Sequence, residues 1–307
     1  MRIRNRNFDF IGRRKIWFTI SIVAIAAGII GFIVNGGFNL GIDFLGGSLI
    51  EVKFDRPTDT AEIREIMGEL GYDNVIIQKV IPDVLKDNSD QFIIRIKAKN
   101  LGESISTEEK NEILNLLDRK IGITGQPLQD RTVEPGFGSI LVKNALIAIA
   151  ISIAGILIYV WIRFEIRFGA AAILALVHDV LITLGVYCIL NREVNTSTIA
   201  AILTILGYSL NDTIVVFDRI RENTSLVGKL GYDRVLNDSI NAILSRSINT
   251  SLTTLFPVVL LLIMGTTALK DFALALTVGI VAGTYSSICI ASPLLAVWNK
   301  KFPKYKK

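Results

Sequence analysis

Three groups of polar and ionisable residues interrupt long apolar runs. They are His178 with Asp179 in ALVHDVLITL, Asn211 with Asp212 in GYSLNDTIVV, and Arg246 leading into Asn249, Thr250, Ser251, Thr253 and Thr254 in RSINTSLTTL. A charge at the centre of a membrane span costs roughly 2.5 to 3.5 kcal/mol, so each needs a reason. A carboxylate in such a place can exchange a proton, whereas an arginine stays charged at any accessible pH. Asp212 and Arg246 therefore admit two readings: a buried ion pair that fixes helix register, or a switch in which protonating Asp212 releases Arg246 and lets the helices shift. A proton crossing the membrane potential gains about 2.3 kcal/mol per 100 mV, comparable to the gap between two helix packings. His178 and Asp179 suit a relay or interhelical hydrogen bonding. The chain has one histidine and two cysteines, with no ligand spacing for a metal, no nucleophile elbow and no phosphate loop, so neither a metal nor a cofactor is expected.

These groups need membrane helices to position them. Of the 307 residues, 51% are hydrophobic and 20% charged, which excludes a disordered chain. Six segments are long and apolar enough to span a bilayer: 16–34, 140–162, 168–190, 198–217, 243–265 and 272–297. The first follows a basic N-terminus but is too long for a cleaved leader and lacks a small-x-small site, so it reads as an anchor. Residues 35–139 carry 12 basic against 18 acidic side chains, and the rest of the chain 21 against 10. The net charge of +5 thus belongs to the apolar part, which points to a membrane and away from nucleic acid. Seventeen Lys and Arg flank the spans on one side, Arg163, Arg219 and Lys300 among them, against only Arg192 and Lys270 in the opposite short loops. That asymmetry predicts both termini in the cytoplasm, with 35–139 outside.

At about 1.5 Å of rise per residue, Asp179 lies about 16 Å from the cytoplasmic end of its span and Asp212 about 9 Å. Arg246 enters at a depth similar to that of Asp212, so the two can meet if their helices are neighbours. A pair of aspartates also suits an intramembrane aspartyl protease, but the depths differ by about 7 Å and no GxGD sequence occurs, so an enzyme is not expected. Gly279 and Gly283 have the GxxxG spacing of close helix packing. Pro257 is expected to free carbonyls for Thr253 or Thr254 to satisfy. The apolar stripe Val235, Leu236, Ile240, Ile243 and Leu244 predicts an interfacial helix within a cytoplasmic amphipathic segment of about 218–242. The predicted organisation is therefore a basic N-terminus (1–15), a first span (16–34), an exported domain (35–139), a five-helix region (140–297) and a basic tail (298–307).

In the exported stretch, 48–54 alternates as a strand. A helix over 59–70 follows, with Asp59 and Glu62 at capping-box spacing, then strand-like runs at 74–81 and 91–99 around a turn region at 82–90. A second helix covers 107–120 behind Ser106 and Glu109, and a last strand 126–134. This β-α-β-β-α-β order is the ferredoxin-like arrangement. The fold class is thus an α-helical membrane protein with six spans and one α+β external domain.

FNLGIDFLGG (38–47), RFEIRFG (163–169), the HD pair, GYSLNDTIVVFDRIREN (207–223) and RSINTSLTTL (246–255) together resemble the SecF branch of the SecD/SecF family, over nearly the whole chain. The resemblance implies half of a twelve-span assembly with SecD, related to the proton-driven RND exporters. It also implies proton-coupling roles for Asp212 and Arg246 and glycines (Gly41, Gly46, Gly47) that shape the turn after the first span, with Asp43 capping it. Implied partners are SecD, YajC, the SecYEG channel, SecA, the translocating polypeptide and membrane lipid. The alternative is an RND-like half-transporter that moves a small solute or lipid by proton antiport.

Overall fold

The computed structural model describes residues 7–72, 75–80, 90–96, 105–133, 135–265 and 267–303. The basic residues 1–6, the turn region 81–89 and the tail 304–307 lie outside the described residues. The chain divides into two compact units, Met1–Asn39 with Ala148–Lys307, and Leu40–Ile147.

The smaller unit opens with a single turn, α2 (Ile42–Leu45), and continues as β1 (Gly47–Lys53), α3 (Thr60–Glu69), β2 (Val75–Val80), β3 (Gln91–Ile96), α4 (Thr107–Lys120) and β4 (Gln129–Val133). The four strands form one antiparallel sheet in the order β2-β3-β1-β4. Alternation decides which side chains turn inward. Ile50 and Val52 of β1, Phe92, Ile94 and Ile96 of β3, and Val75 and Ile77 of β2 pack with Ile63, Ile66 and Met67 of α3 and Ile113 and Leu117 of α4. Each such buried side chain contributes roughly 1.5 to 3 kcal/mol.

The two helix starts differ. At α4 the capping box is complete: the Glu109 amide donates to Ser106 Oγ at 3.1 Å and the Ser106 amide to Glu109 Oε2 at 2.9 Å. At α3 only half of it forms. Asp59 accepts from the Glu62 amide at 2.8 Å, but the Glu62 carboxylate turns instead to the Arg56 guanidinium.

Gly46 and Gly47 both have positive φ, +77° and +136°. A Cβ on Gly47 would lie 2.4 Å from the Ile96 carbonyl oxygen, so a side chain there would part β1 from β3. Gly41, in contrast, sits at the cap of α2 with an ordinary extended backbone, and Asp43 occupies the first turn of that helix, not the capping position.

The larger unit is helical. Its elements are α1 (Arg14–Val34), α6 (Ile166–Ile189), α7 (Thr196–Glu222), a 3-10 turn (Asn223–Leu226), α8 (Val227–Leu230), α9 (Tyr232–Met264), α10 (Thr267–Ser286), a π-turn (Ser287–Ala291) and α11 (Ser292–Lys301); α5 (Pro135–Arg163) joins the two units. Among the described residues, six helices are long and apolar enough to cross a membrane, so this is a multi-pass membrane protein. Glycines set the closest approaches. A Cβ on Gly28 of α1 would come within 2.6 Å of Gly185 Cα on α6. Gly279 and Gly283 of α10 lie against Ile205 and Ser209 of α7, within 2.2 Å and 2.9 Å of a hypothetical Cβ.

Two local expectations change. Residues 232–242 are not a separate interfacial helix but the first turns of α9, which runs 33 residues without a break. The apolar positions at 235, 236, 240, 243 and 244 are continued at helical spacing by buried Ser247 and Ser251, so one helix keeps a single inward stripe throughout. The hydroxyls of Thr253 and Thr254 do not serve the carbonyls freed by Pro257 either. They turn back one helical turn, Thr253 to Asn249 O at 3.0 Å and Thr254 to Thr250 O at 3.0 Å.

Candidate functional site

Asp179 on α6 is fully buried. Its Oδ2 accepts from Ser209 Oγ of α7 at 2.5 Å and from Ser286 Oγ of α10 at 2.9 Å, and its Oδ1 lies 2.9 Å from His178 Nδ1. His178 Nε2 lies 3.0 Å from Ser21 Oγ of α1, and its ring stacks on Tyr285 with centroids 6.0 Å apart. The Tyr285 hydroxyl in turn donates to the Trp17 carbonyl at 2.7 Å. In a neutral imidazole whose Nδ1–H donates to the carboxylate, Nε2 is left to accept the Ser21 hydroxyl. The carboxylate thus gathers α1, α6, α7 and α10, with both of its oxygens occupied. Ser286 ends α10 just before the π-turn, a local widening of the kind that re-aims side chains at functional sites.

Asp212 lies one turn beyond Ser209 on the same helix and is 5% exposed. Its surroundings are different. Its Oδ2 is buried without a protein hydrogen-bond partner, and so is the hydroxyl of Ser247 on α9. The Ser247 hydroxyl is the donor that approaches Asp212, but it falls short of hydrogen-bond geometry, and Arg246 is the cation whose charge acts on the carboxylate. The helices α7 and α9 are packed neighbours, the condition for the two residues to meet, yet Asp212 and Arg246 form no ion pair within 4.0 Å among the described residues. The reason is rotational. Ser247 takes the inward position facing α7, and Arg246, about 100° round the helix, is exposed.

Arg246, Asn249, Thr250 and Thr253 are all exposed, and their spacing of i, i+3, i+4 and i+7 makes one polar stripe on α9. Asn211 is likewise exposed on α7, so the NDT motif divides its residues between an outward amide and an inward carboxylate. Asp179 and Asp212 share no hydrogen bond among the described residues. Ser209, Ser286, Ser21 and Ser247, which complete the two environments, do not stand out in the sequence. The available signal was a small hydroxyl residue at the inward position of an otherwise apolar span.

The sequence pattern described as Protein export membrane protein SecD/SecF, C-terminal, matches residues 117–301. The chain belongs to the SecD/SecF family. A second pattern of the family, the SecD/SecF GG motif, matches residues 31–58, which include the positive-φ Gly46 and Gly47. The protein translocase subunit SecF of Rickettsia bellii is 40% identical over 304 residues, covering 97% of this chain and 96% of its own length. That of Calditerrivibrio nitroreducens is 42% identical over 293 residues, covering 94% and 93%. The crystal structure of SecDF from Thermus thermophilus, described as a translocon-associated membrane protein, superposes with a TM-score of 0.85 at 37% identity. It matches 98% of this chain, which spans 40% of that longer SecD/SecF-family protein.

Proposed function

We propose that the chain is an accessory subunit of the Sec protein-export machinery that works with SecD and uses the proton gradient to promote polypeptide translocation across the inner membrane. The observation that carries this reading is the unpartnered carboxylate oxygen of Asp212, buried in a span, opposite Ser247 and beside a helix that bears an exposed Arg246. A carboxylate in that setting has two states available: it takes a proton, or it draws in the guanidinium. Either change alters what α7 and α9 offer each other. His178 and Asp179 support the reading as the fixed frame against which that change occurs.

The polar stripe of Arg246, Asn249, Thr250 and Thr253 supports association with SecD, because such a stripe within a span favours a protein neighbour over lipid. The Thermus thermophilus relative joins SecD and SecF in one chain, which supports the same pairing. The β2-β3-β1-β4 order supports a ferredoxin-like domain on the outer side, both termini being cytoplasmic by the charge asymmetry. SecYEG, SecA and YajC complete the assembly in this reading, the emerging chain is its substrate, and no enzymatic step is assigned. The test is export of a preprotein into vesicles holding the channel, the motor, SecD and this chain. An imposed proton gradient should accelerate export only when the chain is present, and equal acceleration without it would refute the reading.

A further inference from the structure

The residues before α1 form a strap on the start of α9. Asn241 grips the backbone of Phe8 at two points: its Oδ1 accepts from the Phe8 amide at 2.9 Å, and its Nδ2 donates to the Phe8 carbonyl at 2.9 Å. The second proton on Nδ2 goes to the Asn237 carbonyl at 2.9 Å, so both protons of this amide and its oxygen are engaged. A flipped amide would face its NH2 to an N–H and its oxygen to two carbonyls, so only one orientation works. One turn earlier, Asn237 Oδ1 accepts from the Phe10 amide at 2.8 Å. Asparagines at i and i+4 thus read the amides of residues two apart, as a neighbouring strand would.

The strap is held at its other end as well. Asp9 Oδ1 accepts from the Gly12 amide at 2.7 Å, Trp17 Nε1 donates to the Phe10 carbonyl at 3.1 Å, Arg14 pairs with Asp233 at 3.4 Å, and Ile11 is 2% exposed. Little slack separates it from α1, which is itself tied to His178 through Ser21.

We propose that this strap is a positioning clamp: by gripping the first turns of α9 through Asn237 and Asn241, Phe8–Phe10 fix the height and rotation at which α9 presents Ser247 and Arg246 to Asp212. Arg246 is five residues beyond Asn241, about 7.5 Å along an unbroken helix, so a rotation at the clamp is passed on to it. Asn237 and Asn241 are positioning residues in this scheme and touch neither Asp212 nor Arg246. The inference rests on the coupling role proposed above for that pair.

Two variants attack the clamp from opposite sides: Asn241→Leu removes the reader and Phe8→Pro removes the amide that is read. Each is measured in the full chain with SecD and the channel, by hydrogen exchange of residues 8–16 and 232–245 and by export with and without a proton gradient. Protection of both segments should fall about tenfold, what two hydrogen bonds at a solvent-exposed site supply. Gradient-driven export should fall with it, while gradient-independent export holds. Replacing Phe8 and Asn241 together by cysteine should restore gradient-driven export when the pair is oxidised and lose it on reduction. Full protection in either single variant, wild-type gradient-driven export despite lost protection, or an oxidised pair that blocks export each overturns the clamp. The Asp212→Asn variant is run beside them. Normal export there sinks the coupling reading itself, whereas loss there with normal export in the strap variants sinks only the clamp.

Discussion

Two aspartates lie on adjacent helices of the larger unit, and their neighbours separate them. Asp179 receives two serine hydroxyls and an imidazole, with no Lys or Arg among its hydrogen-bond partners. Asp212 keeps one oxygen without a protein donor, and the cation that acts on it, Arg246, stands on the exposed side of α9. Hydrogen bonds from three helices cannot be exchanged without moving those helices, so Asp179 is suited to hold the bundle together. An open oxygen can change its partner at little cost, so Asp212 is suited to switch. Depth and residue type do not decide which carboxylate is which; the number of filled acceptor positions does.

The sharpest way to break this comparison is to remove only the titration. In Asp212→Asn the shape is kept and the proton site is lost. Gradient-dependent export should disappear while the amount of protein in the membrane and its thermal midpoint in detergent stay near wild type. If that variant's thermal midpoint falls while gradient-driven export persists, the two aspartates have been assigned the wrong way round. The reciprocal change, Asp179→Ala, should show the opposite balance. It strands Ser209, Ser286 and His178, and at the modest strength of interhelical hydrogen bonds this costs about 2 kcal/mol, read as a lowered thermal midpoint with a corresponding loss of assembled protein. Asp179→Asn, which keeps one acceptor oxygen, should recover part of that stability.

A smaller change approaches the same frame without touching a carboxylate. A Cβ on Gly283 would lie 2.9 Å from Ser209 Cβ, so Gly283→Ala should push the serine away from Asp179 and cost about 1 kcal/mol in stability. Gly155, on α5, has nothing within 4 Å of its would-be Cβ. Its replacement by alanine serves as the control, and an equal loss in the two variants would show that the α7–α10 approach carries no special role.

Sequence and structure agree best where one physical constraint acts on many residues. Six spans are legible because a bilayer demands long apolar runs, and the strand and helix order of the smaller unit is legible because alternation, Asp59 and Ser106 each mark a boundary. Asp179 and Asp212 are visible as charges out of place. Their difference is not visible, because it depends on Ser209, Ser247 and Ser286, which come from three helices and look like any other serines in apolar runs. The exposed placement of Arg246 is likewise decided by helix rotation, which depth arithmetic does not contain. Asn237 and Asn241 read as the polar side of an amphipathic segment, and only the fold brings Phe8, more than 220 residues away, against them.

A third aspartate, outside the membrane helices, sharpens the comparison from the aqueous side. Asp90 accepts from Lys79 Nζ at 2.7 Å and from the Thr58 amide at 3.0 Å. These donors, the lysine first, hold its carboxyl below the usual carboxylate range. It therefore has what Asp179 lacks, a cation, and what Asp212 lacks, donors on both oxygens, but Lys79 is half-exposed, so the gain is small. A lowered folded value means that the ionised form is favoured by folding. Its contribution is then complete above about pH 4, the ordinary carboxylate value, and is lost as pH falls further through the folded value. For a solvated pair this is about 0.5 kcal/mol. Urea unfolding of the smaller unit in the full chain, followed by pepsin cleavage, should show Asp90→Asn less stable by that amount at pH 5 and indistinguishable from wild type near pH 2. A difference that persists at pH 2 would assign the effect to the Thr58 contact instead of the charge, and would leave the number of filled acceptor positions as the property that separates all three aspartates.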